Sequence, residues 1–446
     1  MLRELSFENC RQSKDPLISC ALEGVASVIA GLKDVAVVVH SPQGCAATVA
    51  AAYDAHEIDF TRRKIACSRL FEMDIVMGAT DKLKDLILQA DSSFKAKVLF
   101  VVGTCAADII GEDLGAVCRG LQGQVSARLV PVMAGGFRGD AYAGMEIGLQ
   151  ALLPLVNATG EKGAGPKVNL IAPQANFNPT WWADLKWVGD TLGRLGVGVQ
   201  ATIARDLSLA ELANAPDADA SILLSHDVGG AFAEELERRG CPLILDGLPL
   251  PVGTENTARW LRALGELFDA TDEAERIIEE GEKRVQETLR RRGLMIIPRY
   301  RNCRVAVSAD ATLGIPLMRM LFQELEMIPE LLLLRGDSPR GRALLEKETS
   351  DLGINPKVVF GADGWKVKQA LKESRVEAVF GSNWERTLAE ELGIKIAFDV
   401  FHPSRREHYL DRPYFGYEGM LHFLETVAND WETSLRSKQI AWEQVR

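Results

Sequence analysis

Three cysteines in the first quarter of the chain carry its strongest chemical signal. Cys20 stands in PLISCALEG, Cys45 ends HSPQGC, and Cys105 stands in VVGTCAADIIGEDL. Each is followed by small residues or a helix start, where a strand gives way to a helix or loop. No two are close enough for a CxxC pair, so they act together only if the fold joins them. Three thiolates from one chain are one short of the four that close a common iron–sulfur site. The simplest completion is a cluster shared with a second polypeptide. Against this stands the plain reading of each cysteine taken singly, a small buried thiol of the core.

The other candidates are weaker. Cys10, Cys67, Cys118, Cys241 and Cys303 read as core or incidental thiols. Cys241 and Cys303 open strands, Cys118 lies on a helix, and Cys67, the least clear, falls on the loop after Cys45. The histidines stand at 40, 56, 226, 402, 408 and 422. They form no HxH or HExxH spacing, so a mononuclear metal site has little support. His40 precedes SPQGC and is placed to hydrogen-bond near the site, and His226 follows a strand. The turn FHPSRREHYLDRPYFGYEG mixes cations and aromatics, which suits a cleft or a subunit contact as well as a solvated loop. The Trp181–Trp182 pair opens a helix and reads as packing.

These residues need elements to position them, and the sequence supplies three αβ blocks. In the first, 31–41, 96–104 and 126–134 read as buried strands, being short apolar runs rich in Val and Leu. MGATDKLKDLILQAD between them reads as a helix. The second block has strands at 168–173, 197–202, 220–225 and 241–246, and the third at 303–309, 331–334, 358–360, 377–382 and 394–400. A charged helix over 272–292 links the two, and a helix after GYEG closes the chain. Such alternation predicts an α/β protein of three Rossmann-like, doubly wound parallel-sheet domains. The expected bounds are 1–165, with the cluster cysteines, then 166–300 and 301–446. No GxGxxG follows a first strand, and no phosphate-binding GxxxxGK motif occurs, so a nucleotide on this chain is not expected.

Composition agrees with an ordinary globular protein. The 446 residues are 47% hydrophobic and 25% charged. A balance of 51 basic and 62 acidic side chains gives −11, which argues against nucleic acid or an anionic membrane as partner. No apolar run reaches the roughly 18–20 residues of a transmembrane helix. The start, MLRELSFENCRQSKDP, is too polar for a signal peptide, so a cytoplasmic protein is expected. Its cysteines are then thiols or metal ligands rather than disulfides.

Taken together, these segments resemble component 1 of nitrogenase and its relatives over nearly the whole chain. CALEGVASVIAGLKDVAVVVHSPQGC resembles the segment with the first two cluster cysteines, and TCAADIIGEDL resembles the third-cysteine motif. EMDIVMGATDKL resembles the segment that approaches the ATP-driven reductase, and DVFHPSRREHYLDRPYFGYEG resembles the C-terminal turn of the β-type chains. The resemblance implies that Cys20, Cys45 and Cys105 are this chain's half of an 8Fe–7S P-cluster. That cluster is an electron relay held between an α-type and a β-type subunit, in an α2β2 tetramer served by an ATP-dependent iron–sulfur reductase. It implies a place for Met77 where the reductase docks. The spacings, 25 residues from Cys20 to Cys45 and 60 from Cys45 to Cys105, are close to the family's.

Departures from the family narrow the expectation. Where α-type chains place a cofactor-ligating cysteine, ILLSHD offers Ser225 and His226, so the active-site cofactor is expected on the partner. Where molybdenum-type β chains place a serine near the cluster, VMAGGFRG offers Gly136. The expected relative is the β subunit of methylthio-alkane reductase, which cleaves C–S bonds. The alternatives are a β subunit of an iron-only or other nitrogenase and a non-catalytic scaffold for cofactor maturation.

Overall fold

The computed structural model describes residues 2–7, 19–157, 165–173, 178–292, 300–404, 406 and 409–439. A two-residue strand, β1 (Arg3–Glu4), comes first in the chain and joins the third sheet below. The first sheet forms around two Val-rich segments, VAVVVH (β2, Val35–His40) and VLFVVG (β4, Val98–Gly103), both buried from end to end. Apolar runs without alternation suit strands covered on both faces. They pair in parallel, Val35 opposite Val98 and His40 opposite Gly103. With β3 (Ile65–Cys67) and β5 (Arg128–Met133) on the flanks, the order is β3-β2-β4-β5, all parallel.

One face of this sheet is covered by the helices Thr80–Phe94 and Leu114–Leu121. The first buries Leu83, Ile87 and Ala90, one stripe at helical spacing, onto Val38, Leu99 and Val101. Burying Leu83 and Ile87 contributes roughly 1.5–3 kcal/mol each. The helix Ala21–Ala30 is buried nearly all round and packs against the helix Ala141–Leu152. Their approach is too close for side chains. A Cβ on Gly24 would overlap the carbonyl oxygen of Ala141, and one on Gly144 would overlap that of Ala21.

The second sheet has β6 (Lys167–Ile171), β7 (Gly198–Ile203), β8 (Ala220–Leu223) and β9 (Leu243–Ile244), in the order β7-β6-β8-β9. The third has β10 (Arg304–Ala309), β11 (Ile328–Leu334), β12 (Lys357–Phe360), β13 (Ala378–Gly381) and β14 (Ile396–Asp399), in the order β1-β12-β11-β10-β13-β14, all parallel. The α/β class and the three parallel sheets are thus as the sequence predicts. Residue contacts group the first two sheets in one compact unit, Ile18–Ala175 with Val199–Ile244. The other unit is Met1–Leu17, Asn176–Gly198 and Leu245–Arg446. Among the described residues no helix is long and apolar enough to cross a membrane.

In the second unit a buried carboxylate fixes the C-terminal turn. Asp184 accepts from the backbone N–H groups of Tyr414 and Phe415 at 2.6 and 2.9 Å. Its other oxygen accepts from Asn178 Nδ2 and Thr180 Oγ1 at 2.6 and 3.0 Å. Burial pushes this carboxyl up to about 7, and the four donors oppose that shift. Asp184→Asn keeps the shape but sets an amide donor against donors. It is expected to cost about 2 kcal/mol, read as a lower denaturant midpoint with an unchanged slope.

Candidate functional site

The order β3-β2-β4-β5 makes the boundary between β2 and β4 a topological switch point. From β2 the chain turns toward one edge, and from β4 toward the other. Ligands of open α/β sheets sit outside the carboxyl ends of the strands at such points. Here β2 runs through Ser41 and Pro42 into the helix Gln43–Ala55, with Cys45 in its first turn. β4 runs through Thr104 into the helix Cys105–Ile110, which Cys105 opens. Gly44 and Cys45 follow the strand closely in sequence. They lie just inside the helix, because Pro42 at its N-cap ends the strand and starts the turn. Cys20 is the N-cap of Ala21–Ala30, in extended backbone, with Ala21 donating to Gly139 O at 3.0 Å.

The three cysteines converge. Cys45 lies within electrostatic reach of both Cys105 and Cys20. Gly136 joins the other two. Its N–H donates to Cys105 Sγ at 2.9 Å, and a Cβ built on it would lie 3.5 Å from that sulfur and 3.6 Å from Cys20 Cβ. Asp108, one turn into the Cys105 helix, pairs with Arg138 at 2.8 Å and holds the glycine turn in place. Burial pushes the Cys45 thiol up, a hydrogen bond with Thr104 pulls it down, and the neighbouring cysteines add to the rise.

Exposure separates these thiols from the rest. Cys20, Cys45, Cys67 and Cys105 are half-buried, whereas Cys118, Cys241 and Cys303 are buried. Burial pushes Cys118 up to about 11 and Cys303 up to about 12, so both stay protonated and inert. Cys241 sits in a polar knot with Ser221 and Asn169. Cys10 and His408 lie outside the described residues. Cys67 is not on a loop but ends β3.

Among the described residues no three His, Cys, Asp or Glu are close enough to share a single metal ion. A multi-iron cluster makes a different demand, thiolates spread around a larger body. Three half-buried thiols, two of them beside the bare backbone of Gly136, fit such a group, with no side chain at that glycine to fill the space. His40 is buried at the end of β2, and among the described residues neither ring nitrogen has a hydrogen-bond partner. Only its carbonyl meets the site, accepting from Thr104 Oγ1 at 3.4 Å. Ser225 and His226 are buried after β8, where Ser225 Oγ accepts the N–H groups of Asp227 and Val228 in a turn.

Beside the thiols lies an exposed apolar surface. The helix Glu72–Met77 buries none of its residues, and Met77 is 77% exposed. Phe71, Met73 and Val76 are exposed with it, as is Ile109 on the Cys105 helix. A small core of Leu70, Ala79, Ala106 and Ile110 ties the segments flanking Glu72–Met77 to the Cys105 helix. Lys82 pairs with Asp74 and lies over the Phe71 ring, bracing the patch from below. Sequence reading singles out Met77 and raises Cys67 without placing it, and it misses the exposed Phe71, Met73, Val76 and Ile109 around Met77. In the C-terminal turn Arg406 pairs with Asp430, and Tyr409 and Leu410 are exposed. Of the tryptophan pair, Trp181 is buried in packing and Trp182 is exposed.

Comparison with known proteins agrees with the fold and the motifs. The profile of the family described as nitrogenase component 1 type oxidoreductase matches residues 20–432. The nitrogenase molybdenum-iron protein alpha chain of Methanococcus maripaludis is 26% identical, over 92% of this chain and 85% of that one. The nitrogenase iron-molybdenum cofactor biosynthesis protein NifE of Clostridium pasteurianum is 24% identical, over 92% and 86%. The nitrogenase vanadium-iron protein beta chain of Trichormus variabilis is 24% identical, over 93% of each. A solved structure titled nitrogenase Cp1 at pH 6.5 superposes with a TM-score of 0.80 at 18% identity, over 97% of this chain and 96% of that one.

Proposed function

The chain belongs to the nitrogenase component 1 type oxidoreductases, and we propose that within them it is the β-type subunit of a nitrogenase-like reductase. In this reading Cys20, Cys45 and Cys105 hold half of an 8Fe–7S P-cluster, and three cysteines of an α-type partner hold the rest. When bound, such a cluster supplies one-electron storage and transfer. The observation that supports the reading is the convergence of three half-buried thiols at the switch point of the first sheet, with the bare backbone of Gly136 beside Cys105 and Cys20. The protein's own part is to hold the thiols apart at fixed positions. The Gly136 N–H adds a hydrogen bond to the Cys105 sulfur, one of the levers that tune such a group.

The reading divides the chain into an N-terminal αβ domain, 1–165, and two Rossmann-like domains, 166–300 and 301–446. Its expected assembly is α2β2, with the substrate-reducing cofactor on the α-type partner. Its substrate class is methylthio-alkanes, cleaved reductively at the C–S bond. Where an α-type chain would place its cofactor-ligating cysteine, this chain has Ser225, whose hydroxyl accepts from Asp227 and Val228, and the buried His226. A second reading, a scaffold on which a nitrogenase cofactor matures, is favoured by the NifE relative. Anaerobic co-purification with the α-type partner, iron counting and assay of methanethiol release separate the two. Iron in the complex with reductive turnover supports the subunit, and iron without turnover supports the scaffold. A full cluster on the chain alone would contradict sharing.

The exposed patch is the proposed docking face for the ATP-dependent reductase. An apolar residue at the centre of a transient interface acts as an anchor. Met77→Asp places a charge there without touching a buried residue. Reductase-driven turnover is expected to fall at least tenfold, with the cluster's absorption spectrum unchanged. Unaltered kinetics would place docking elsewhere.

A further inference from the structure

We propose that Cys67 is a fourth thiolate donor toward the cluster, an inference that rests on the P-cluster reading above. Cys67 ends the edge strand β3 and pairs in register with Val39 of β2. Three residues beyond Val39 the neighbouring chain reaches Pro42, the N-cap of the helix whose first turn holds Cys45. The two thiols therefore leave the same end of adjacent parallel strands, and Cys45 feels Cys67 electrostatically as it feels Cys20 and Cys105.

The local backbone is shaped around this sulfur. Cys67 Sγ lies 3.4 Å from the carbonyl oxygen of Ser41 and 3.7 Å from Ser41 Oγ. The N–H of Arg69 donates to it at 3.4 Å. Arg69 itself adopts φ 53°, in the left-handed region uncommon for a residue with a side chain. Ser68 secures the bend, its N–H donating to Val39 O and its hydroxyl accepting from the N–H of Ser41, both at 3.0 Å. Cys67 thus shares with Cys105 a backbone N–H directed at sulfur. It also shares their half-exposure, which the three buried cysteines lack.

The step is a ligand addition. The S–H bond of Cys67 breaks, its proton leaves to water, and a sulfur lone pair forms a bond to iron. No electron is transferred.

The test is thiol alkylation by iodoacetamide, mapped by mass spectrometry on the anaerobically co-purified complex, iron-loaded and chelator-stripped. Cys67 is expected to react at least tenfold more slowly in the loaded complex, as Cys20, Cys45 and Cys105 do, with Cys118, Cys241 and Cys303 unreactive in both. Protection of those three with Cys67 equally reactive in both states overturns the proposal and leaves the P-cluster reading standing. Equal reactivity of all four overturns both. A redox titration distinguishes ligation from mere cover. In Cys67→Ala the more oxidised couple should move to a more positive potential, because a thiolate favours oxidised iron. An unchanged midpoint with Cys67 protected overturns ligation.

Discussion

Replacing Cys20, Cys45 or Cys105 by alanine is expected to strip most of the iron from the complex and abolish turnover. In the proposed reading each alanine removes one bond from the protein to the cluster. Around Cys105 and Cys20 the adjoining residue is Gly136, which offers only its backbone. The helix Ala21–Ala30 that follows Cys20 is buried except at Glu23. The control is Cys241→Ala, whose sulfur bonds to Ser221 and Asn169 in the second sheet. That variant is expected to keep its full iron while losing about 1 kcal/mol of stability, the net worth of one such bond. Iron counts equal to wild type in all three single variants would remove the cluster assignment. Equal loss in Cys241→Ala would mean that iron tracks stability and not ligation. Unfolding curves on the same preparations separate those cases.

Much of the fold was legible because its strands are long apolar runs. VAVVVH, VLFVVG and RVAVSA have one structural solution when helices cover both faces, and they form β2, β4 and β10. β3 was not legible. IAC is three residues long, lies between Arg63, Lys64 and Ser68, Arg69, and acquires strand geometry only from its bonds to β2. The sequence therefore offers Cys67 as a loop residue and a substitute donor near the cluster but does not place it, and the strand pairing does. The convergence of the three cluster cysteines was legible only through family resemblance. Spacings of 25 and 60 residues do not say that two strands and three helix starts meet at one switch point. The apolar patch was hidden for the opposite reason. Met73, Ile75 and Val76, apolar neighbours of Met77, look like core in sequence, yet their helix buries none of its residues.

The close approach of two helices was hidden as well, and it sets the position of Cys20. Gly24→Ala and Gly144→Ala are each expected to cost at least about 3 kcal/mol and to lower iron content with it. At both positions the added methyl would meet backbone atoms: Ala141 O and Met145 N at Gly24, and Ala21 O, C and Cα at Gly144. Side chains relieve such a clash by changing rotamer, but backbone must move as a body. The body that moves is the helix Ala21–Ala30, with Cys20 at its N-cap. Its first N–H is held by Gly139 O at 3.0 Å, so separating the helices also strains that bond and shifts Cys20 away from Gly136. Gly120 supplies the contrast. It lies near the end of the helix Leu114–Leu121, with nothing within 4 Å of a built Cβ. Gly120→Ala is expected to stabilise by about 0.5–1 kcal/mol through helix propensity and a less free unfolded chain, with iron content unchanged. Thermal unfolding and iron counts on the three variants decide the matter. Gly24→Ala or Gly144→Ala with wild-type stability would show that the two helices can separate freely and that Cys20 is fixed by something else.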